Sequence, residues 1–456
     1  MNSIFRLSSS LWFSALVAAC GVSTEAEVAT STASREQPES LEPSRRDWTS
    51  TYGGVDGFGD LAVQPDGHTV LVGTASSDVV VARFDPQGQL LWSQRFGDES
   101  YQQATGIAVD SVGNVVITGD YWGLLDFGGG PLPCRGEPGF PRAFVAKFDV
   151  SGGHVWGRCF GDGGQQQTGT LAFAVDGDVL VSGYFDGAID YGDGPIPTKG
   201  PLNQFVVRLA GRTGAPVWNL HYEAGPESTL ASLAMDPEDN LFISSGYLNA
   251  LSFNGVPWLS EPGFNVYVLK LDAHGEPLWA KSFGALRTQT FWRLAVDPSG
   301  NVVGTGAFIG TVDHGGGPLW SADGDVFVTS LNGAGQHRWS RSFGGPGFDW
   351  GYDVDVDFAG NPVVTGSFSA SIDFGEGRLM SAGGEDIFVA KLGGDGVPRW
   401  GRSFGDGRNQ SALRVASAGL RDVILWGRLV GTLDFGSGPV TGRSSTDSFV
   451  TRITPR

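Results

Sequence analysis

Apolar and polar positions along the chain alternate in short runs, and no long stretch repeats apolar residues at a spacing of 3.6. An apolar run ending in Asp, a five-residue turn and a second apolar run recur as IAVDSVGNVVITG from Ile107, LAVDPSGNVVGTG from Leu294 and VDVDFAGNPVVTG from Val354. A D-x-x-G-N turn between apolar runs predicts a β-hairpin. A third strand follows each hairpin: FVAKFD at Phe144, YVLKLD at Tyr267, FVAKLG at Phe388 and FVTRIT at Phe449. Valine and aromatic residues suit pleated strands. A Gly-containing turn then leads to a Trp-bearing strand. These four strands are A, B, C and D in chain order.

Trp92, Trp156, Trp218, Trp279, Trp339 and Trp400 recur at spacings of 64, 62, 61, 60 and 61 residues, and Trp48 stands ahead of them. Four-stranded units repeated in this way predict an all-β protein, a seven-bladed β-propeller. A β-solenoid is the alternative; a helix–strand solenoid lacks its helices. Hairpins A–B begin near Leu61, Ile107, Leu171, Leu233, Leu294, Val354 and Leu413, and the final third strand, SFVTRI, has no Trp strand after it. The spare one is RDWTSTYGG at 46–54. The N-terminal strand is therefore expected to complete the last blade, which would remove two open edges.

The AVD..GNV..TG, FVAKLD and G...W..FG elements resemble the bacterial SBBP-type β-propeller repeat of secreted and lipid-anchored proteins, over roughly residues 46–456. The resemblance implies a fold and no particular catalytic residues.

The first 19 residues read as a signal peptide. Arg6 is their only charge, and Leu11–Ala19 is too short to span a bilayer as a helix. Val17-Ala18-Ala19-Cys20 resembles a lipobox, which implies lipidation of Cys20. Gly21 rather than Asp after it implies the outer membrane. An ordinary signal peptide with an incidental Cys is the alternative. Residues 20–45 form the expected lipidated Cys and disordered tether, without aromatics and rich in Ser, Thr, Glu, Ala and Pro. Such a linker reaches roughly 25–30 Å. One propeller over 46–456 completes the organisation.

The 456 residues include 71 Gly and carry a formal charge of −19. That charge argues against nucleic acid, which needs a basic footprint, and against electrostatic docking on anionic lipid. The membrane is expected to be met only through the anchor, and the chain is expected to be a monomer. The stretch DFGGGPL at Asp126 returns as DYGDGPI at Asp190, DHGGGPL at Asp313, DFGEGRL at Asp373 and DFGSGPV at Asp434. No helix or Lys follows to cradle a phosphate, and one Asp per turn is a poor calcium shell. The stretch reads as a B–C corner in which Asp bonds its own backbone.

Chemistry-bearing motifs are missing: there is no G-x-S-x-G, no H-E-x-x-H and no P-loop. The histidines sit in or beside turns and read as solvated. No catalytic residue, metal or cofactor is assigned. Asp349, Asp353 and Asp355 are placed where strand alternation allows them to face a central channel. The B–C and D–A loops are longer and more varied than the A–B and C–D turns, so their face is the expected binding face. Tyr101, Gln103, Gln166, Gln289, Trp292, Trp320, Trp350 and Gln410 are its candidate ligand residues. Amides beside aromatic faces suit sugars and peptides, and a glycan, a peptide or an envelope protein is the expected partner. The same aromatics also suit packing between blades. Cys134 and Cys159 fall at one end of the second blade and are expected to pair, an export compartment permitting it. An outer-membrane assembly scaffold and a glycan-active lyase or hydrolase are the competing functions.

Overall fold

A computed structural model describes residues 47–52, 59–134, 139–161, 164–200, 202–223, 232–253, 256–284, 289–444 and 447–455. The expected signal peptide, Cys20 and the expected tether lie outside the described residues. The chain is all-β, and among the described residues its strands group into seven four-stranded antiparallel units. Their A strands are Asp60–Val63, Gln102–Val109, Gln166–Phe173, Ser232–Met235, Gln289–Val296, Trp350–Val356 and Ser411–Ala418. Units three and four share one larger sheet, because the D strand of unit three pairs at Glu223↔Ser252 with the long B–C hairpin of unit four.

The A strands touch in cyclic order, and that of unit seven touches that of unit one. Seven apolar clusters fill the seven junctions. The one between units seven and one joins Leu61, Leu71 and Phe84 to Ile424, Trp426 and Val450. This ring of sheets is a β-propeller. Its last unit takes its D strand from the N-terminus: Trp48–Tyr52 pairs with Ser448–Ile453 in the register Trp48↔Arg452 to Tyr52↔Ser448.

The repeated Trp owes its register to the next unit. Its indole N–H donates to a C–D turn carbonyl one unit on: Trp92 to Val150 at 3.1 Å, Trp218 to Ala273 at 3.0 Å, Trp339 to Gly394 at 2.9 Å, and Trp48 to Pro86 at 3.2 Å across the closure. The ring lies over the turn glycine. At Gly396, φ is +74°, and a Cβ would stand 2.5 Å from the Trp339 ring. Any other residue there would strain the backbone and strike the indole.

A second staple comes from strand C. Lys391 Nζ pairs with Asp357 at 2.7 Å, and Lys270 with Asp236 at 3.0 Å. Each also reaches a backbone carbonyl of the following unit, Leu420 at 2.6 Å and Gly333 at 3.2 Å. Unit five has Ser330 at this position, and Arg338 substitutes, its Nη1 3.1 Å from Ser330 Oγ and 3.9 Å from Asp297. Much of the acidic composition is turn chemistry. Asp126 Oδ1 accepts the N–H of Gly128 and of Gly130, and Asp190, Asp313 and Asp434 repeat the pattern. The DFGGGPL stretch is thus a self-capped corner.

Candidate functional site

Adjacent A strands splay too far apart around the axis for a ladder, and side chains bridge them. Asp353 Oδ2 accepts Val415 N–H at 2.8 Å, and Asp355 Oδ2 accepts Ser417 N–H at 2.7 Å. Bulges in strand A of units five, six and seven fall just before Arg293, Asp353 and Arg414. A bulge re-aims the side chain that follows it. These three meet Asp60 of unit one in the channel: Arg414 Nε lies 2.7 Å from Asp60 Oδ1, Arg293 Nη2 3.3 Å from Oδ2, and Arg293 Nε 3.9 Å from Asp353 Oδ1. Burial pushes the Asp353 carboxyl up to about 6 despite the two guanidiniums. Four units thus close the channel with paired charges. This plug is structural: each charge answers another, and the network joins distant parts of the ring.

Above the plug lies the D–A and B–C face. Gln102, Gln166 and Gln289 open strand A of their units and Gln410 directly precedes it in unit seven, and all four are buried. Gln102 Nε2 donates to the Trp122 carbonyl at 3.2 Å, Gln166 to Ala188 at 3.0 Å and Gln410 to Val430 at 3.0 Å. Gln289 donates to the Phe283 carbonyl. These amides tie the D–A loop to its surroundings. In unit six Asp349 takes the place, accepting Ser369 N–H at 3.0 Å and Gly345 N–H at 3.1 Å. Burial pushes its carboxyl up to about 7. Gln103 is buried too.

The aromatic candidates sit differently. Tyr101 is exposed and meets Trp122 edge-on at 5.7 Å. Trp320 is 67% exposed on the B–C hairpin of unit five. Trp292 stands at the bulge of its strand, and its side chain lies outside the described residues. Trp350 is the middle of a row, 4.5 Å from Phe348 and 6.3 Å from Tyr352, nearly parallel to the latter at 5°. All three rings are half-buried. Ser367 Oγ lies 3.4 Å from Tyr352 Oη and 3.2 Å from Glu385 Oε2. The row is therefore an aromatic shelf with hydroxyl and carboxylate groups at its edge.

At the opposite mouth, a depression of about 400 Å³ is lined by Phe173, Val175, Met235, Val296, Val356 and Phe358, with Asp236, Asp297 and Asp357 behind them. Its mark in the sequence is the run of apolar residues in consecutive A–B turns, Val175, Pro237, Pro298 and Phe358. Cys134 and Cys159 are joined by a disulfide, their Cα atoms 5.6 Å apart. His314 departs from the expectation of solvated histidines. It is 1% exposed, its ring centroid 5.1 Å from Phe283 and 4.7 Å from Phe327. Burial lowers its pKa to about 4. Among the described residues no group of three or more His, Cys, Asp or Glu has the arrangement of a metal site.

No family model matches the chain. A regulatory protein, FlaEY, of Caulobacter vibrioides is 26% identical over 143 residues, 30% of this chain and 15% of that protein's length. Among solved structures, YCF48 bound to D1 peptide is similar at a TM-score of 0.44 and 8% identity, over 91% of this chain and 97% of the other. The polysaccharide lyase Uly1 is similar at 0.44 and 10%, over 91% and 94%. The Dos1 propeller is similar at 0.40 and 10%, over 84% and 74%.

Proposed function

We propose that the chain is an exported, lipid-anchored binding propeller of the cell envelope that takes its ligand on the D–A and B–C face. The observation that carries this reading is the shelf of Phe348, Trp350 and Tyr352 with Ser367 and Glu385 beside it. Flat aromatic faces give large contact area at small entropic cost, and the flanking polar groups supply direction. A glycan ring or an extended peptide has the complementary chemistry. Tyr101, on the D–A loop of unit two, adds an exposed ring to the same face. The lipobox-like VAAC at 17–20 and the SBBP-type repeat support the anchored location.

A thermal-shift screen of the full chain against soluble envelope oligosaccharides, peptidoglycan fragments and short peptides tests the reading. A ligand at about 100 times its dissociation constant adds roughly 2.7 kcal/mol when it binds only the folded state. One class is expected to raise the melting temperature. If none does, and no envelope protein co-purifies, the reading fails.

A further inference from the structure

The two faces of the ring differ in more than loop length. Strand A runs toward the A–B turns and strand C toward the C–D turns, so both sets of turns share one face. The tips of its A–B turns carry apolar side chains pointing into solvent. Val112, Val175, Phe358 and Leu420 are 71, 67, 59 and 59% exposed. They come from units two, three, six and seven and so flank the channel mouth on two arcs. Val150 and Val397, on C–D turns, are exposed farther out. A turn ordinarily places polar residues at its tip, and exposed apolar residues distributed around one face mark an interaction surface.

Some carboxylates of this face are paired. Asp236 and Asp357 pair with Lys270 and Lys391, Asp422 pairs with Arg452, and Asp176, Asp178 and Asp239 share the single charge of Arg208 at 2.8, 3.0 and 2.9 Å. These pairs offset part of the acidic charge of a chain that carries −19 overall.

The third observation is where the described chain begins. Strand D of unit seven starts at Trp48, beside the C–D turn of unit one, and Asp47 Oδ1 accepts Thr454 N–H at 2.8 Å. Both ends of the described chain lie on the A–B and C–D face. Residues 1–46, with the VAAC stretch, therefore join the ring from that side.

We propose that the A–B and C–D face docks on the lipid bilayer surface, with Val112, Val175, Phe358 and Leu420 entering the headgroup region, so that the aromatic shelf points away from the membrane. The proposal rests on the lipid-anchor reading above. Apolar insertion and the anchor act together, as paired weak membrane signals do. Zwitterionic lipid is the favoured surface, because anionic lipid would meet a strongly acidic body.

The test is amide hydrogen exchange on the full chain, in detergent and in phosphatidylcholine vesicles. The intact mass of the N-terminal peptide reports lipidation of Cys20 separately. The expected result is exchange slowed several-fold by vesicles at turns 110–114, 174–178 and 357–361, with no change at the D–A loops 98–101, 345–349 and 406–409. The exposed-site variant Val175→Asp with Phe358→Asp should remain folded and lose that protection. Protection on the shelf side, or none on either side, overturns the docking. An unlipidated Cys20 overturns the anchor reading instead; docking then stands or falls on whether the same chain floats with phosphatidylcholine vesicles.

Discussion

His314 offers a stringent test, because its surroundings were built for another residue. In DFGGGPL, DYGDGPI, DFGEGRL and DFGSGPV the second position is Phe127, Tyr191, Phe374 and Phe435, and each ring is buried. His314 fills that slot in unit five, with neither ring nitrogen hydrogen-bonded. A buried polar group left unsatisfied costs about 1–3 kcal/mol. His314→Phe removes that cost and adds some volume, which returns about 1 kcal/mol of strain. At pH 7.5 the variant should therefore be equal to the parent or more stable by up to about 2 kcal/mol.

Acid widens the gap. Burial holds the folded pKa near 4, below the unfolded value of 6.5. Between those values the unfolded chain binds more protons, so His314 withdraws stability as the pH falls from 6.5 to 4. At 1.36 kcal/mol per pKa unit the loss approaches about 3 kcal/mol. The Phe variant is free of it. His221, held to about 4 by burial and Lys199, withdraws stability over the same window, but equally in both proteins. Asp349, raised to about 7, does the opposite and likewise cancels. Urea unfolding followed by tryptophan fluorescence at pH 7.5 and pH 4 gives the difference directly. A variant-minus-parent stability that is the same at both values refutes the reasoning.

Two further outcomes follow from the staples and the closure. Lys391→Met leaves Asp357 buried without its partner and should cost about 3–5 kcal/mol in urea unfolding, most of it recovered by adding Asp357→Asn. Deleting 47–52 strips strand D from unit seven and the Trp48–Pro86 bond from the closure, so its melting temperature should fall well below that of a chain lacking 21–45; equal melting temperatures contradict closure.

The repeat was legible because every unit solves the same packing problem with the same residues. Trp and the turn Gly recur since one lies on the other, and the spare N-terminal strand showed where the ring closes. Gln102, Gln166, Gln289 and Gln410 recur in register too, at the start of strand A, and that register is the sequence mark of their role in tying the loops. Trp350 lacks an in-register counterpart in most units, which is what a site residue does. The channel plug was only half legible. Alternation placed Asp353 toward the axis, but its partners come from units five, seven and one, hundreds of residues apart in the case of Asp60, and no local pattern reports such a meeting. His314 was legible by aligning the corners and was obscured by treating histidine as a turn residue. The apolar A–B tips were hidden because one Val or Phe in a turn is unremarked singly and acquires meaning only when the ring gathers them on one face.

The most direct measurement is calorimetric titration of the ligand class found in the screen into the parent chain, Trp350→Ala and Val175→Asp. The account predicts that Trp350→Ala weakens binding tenfold or more, about 1.4 kcal/mol, while Val175→Asp on the opposite face leaves it unchanged. Undiminished affinity in Trp350→Ala, or loss in Val175→Asp alone, would contradict a ligand site on the aromatic shelf.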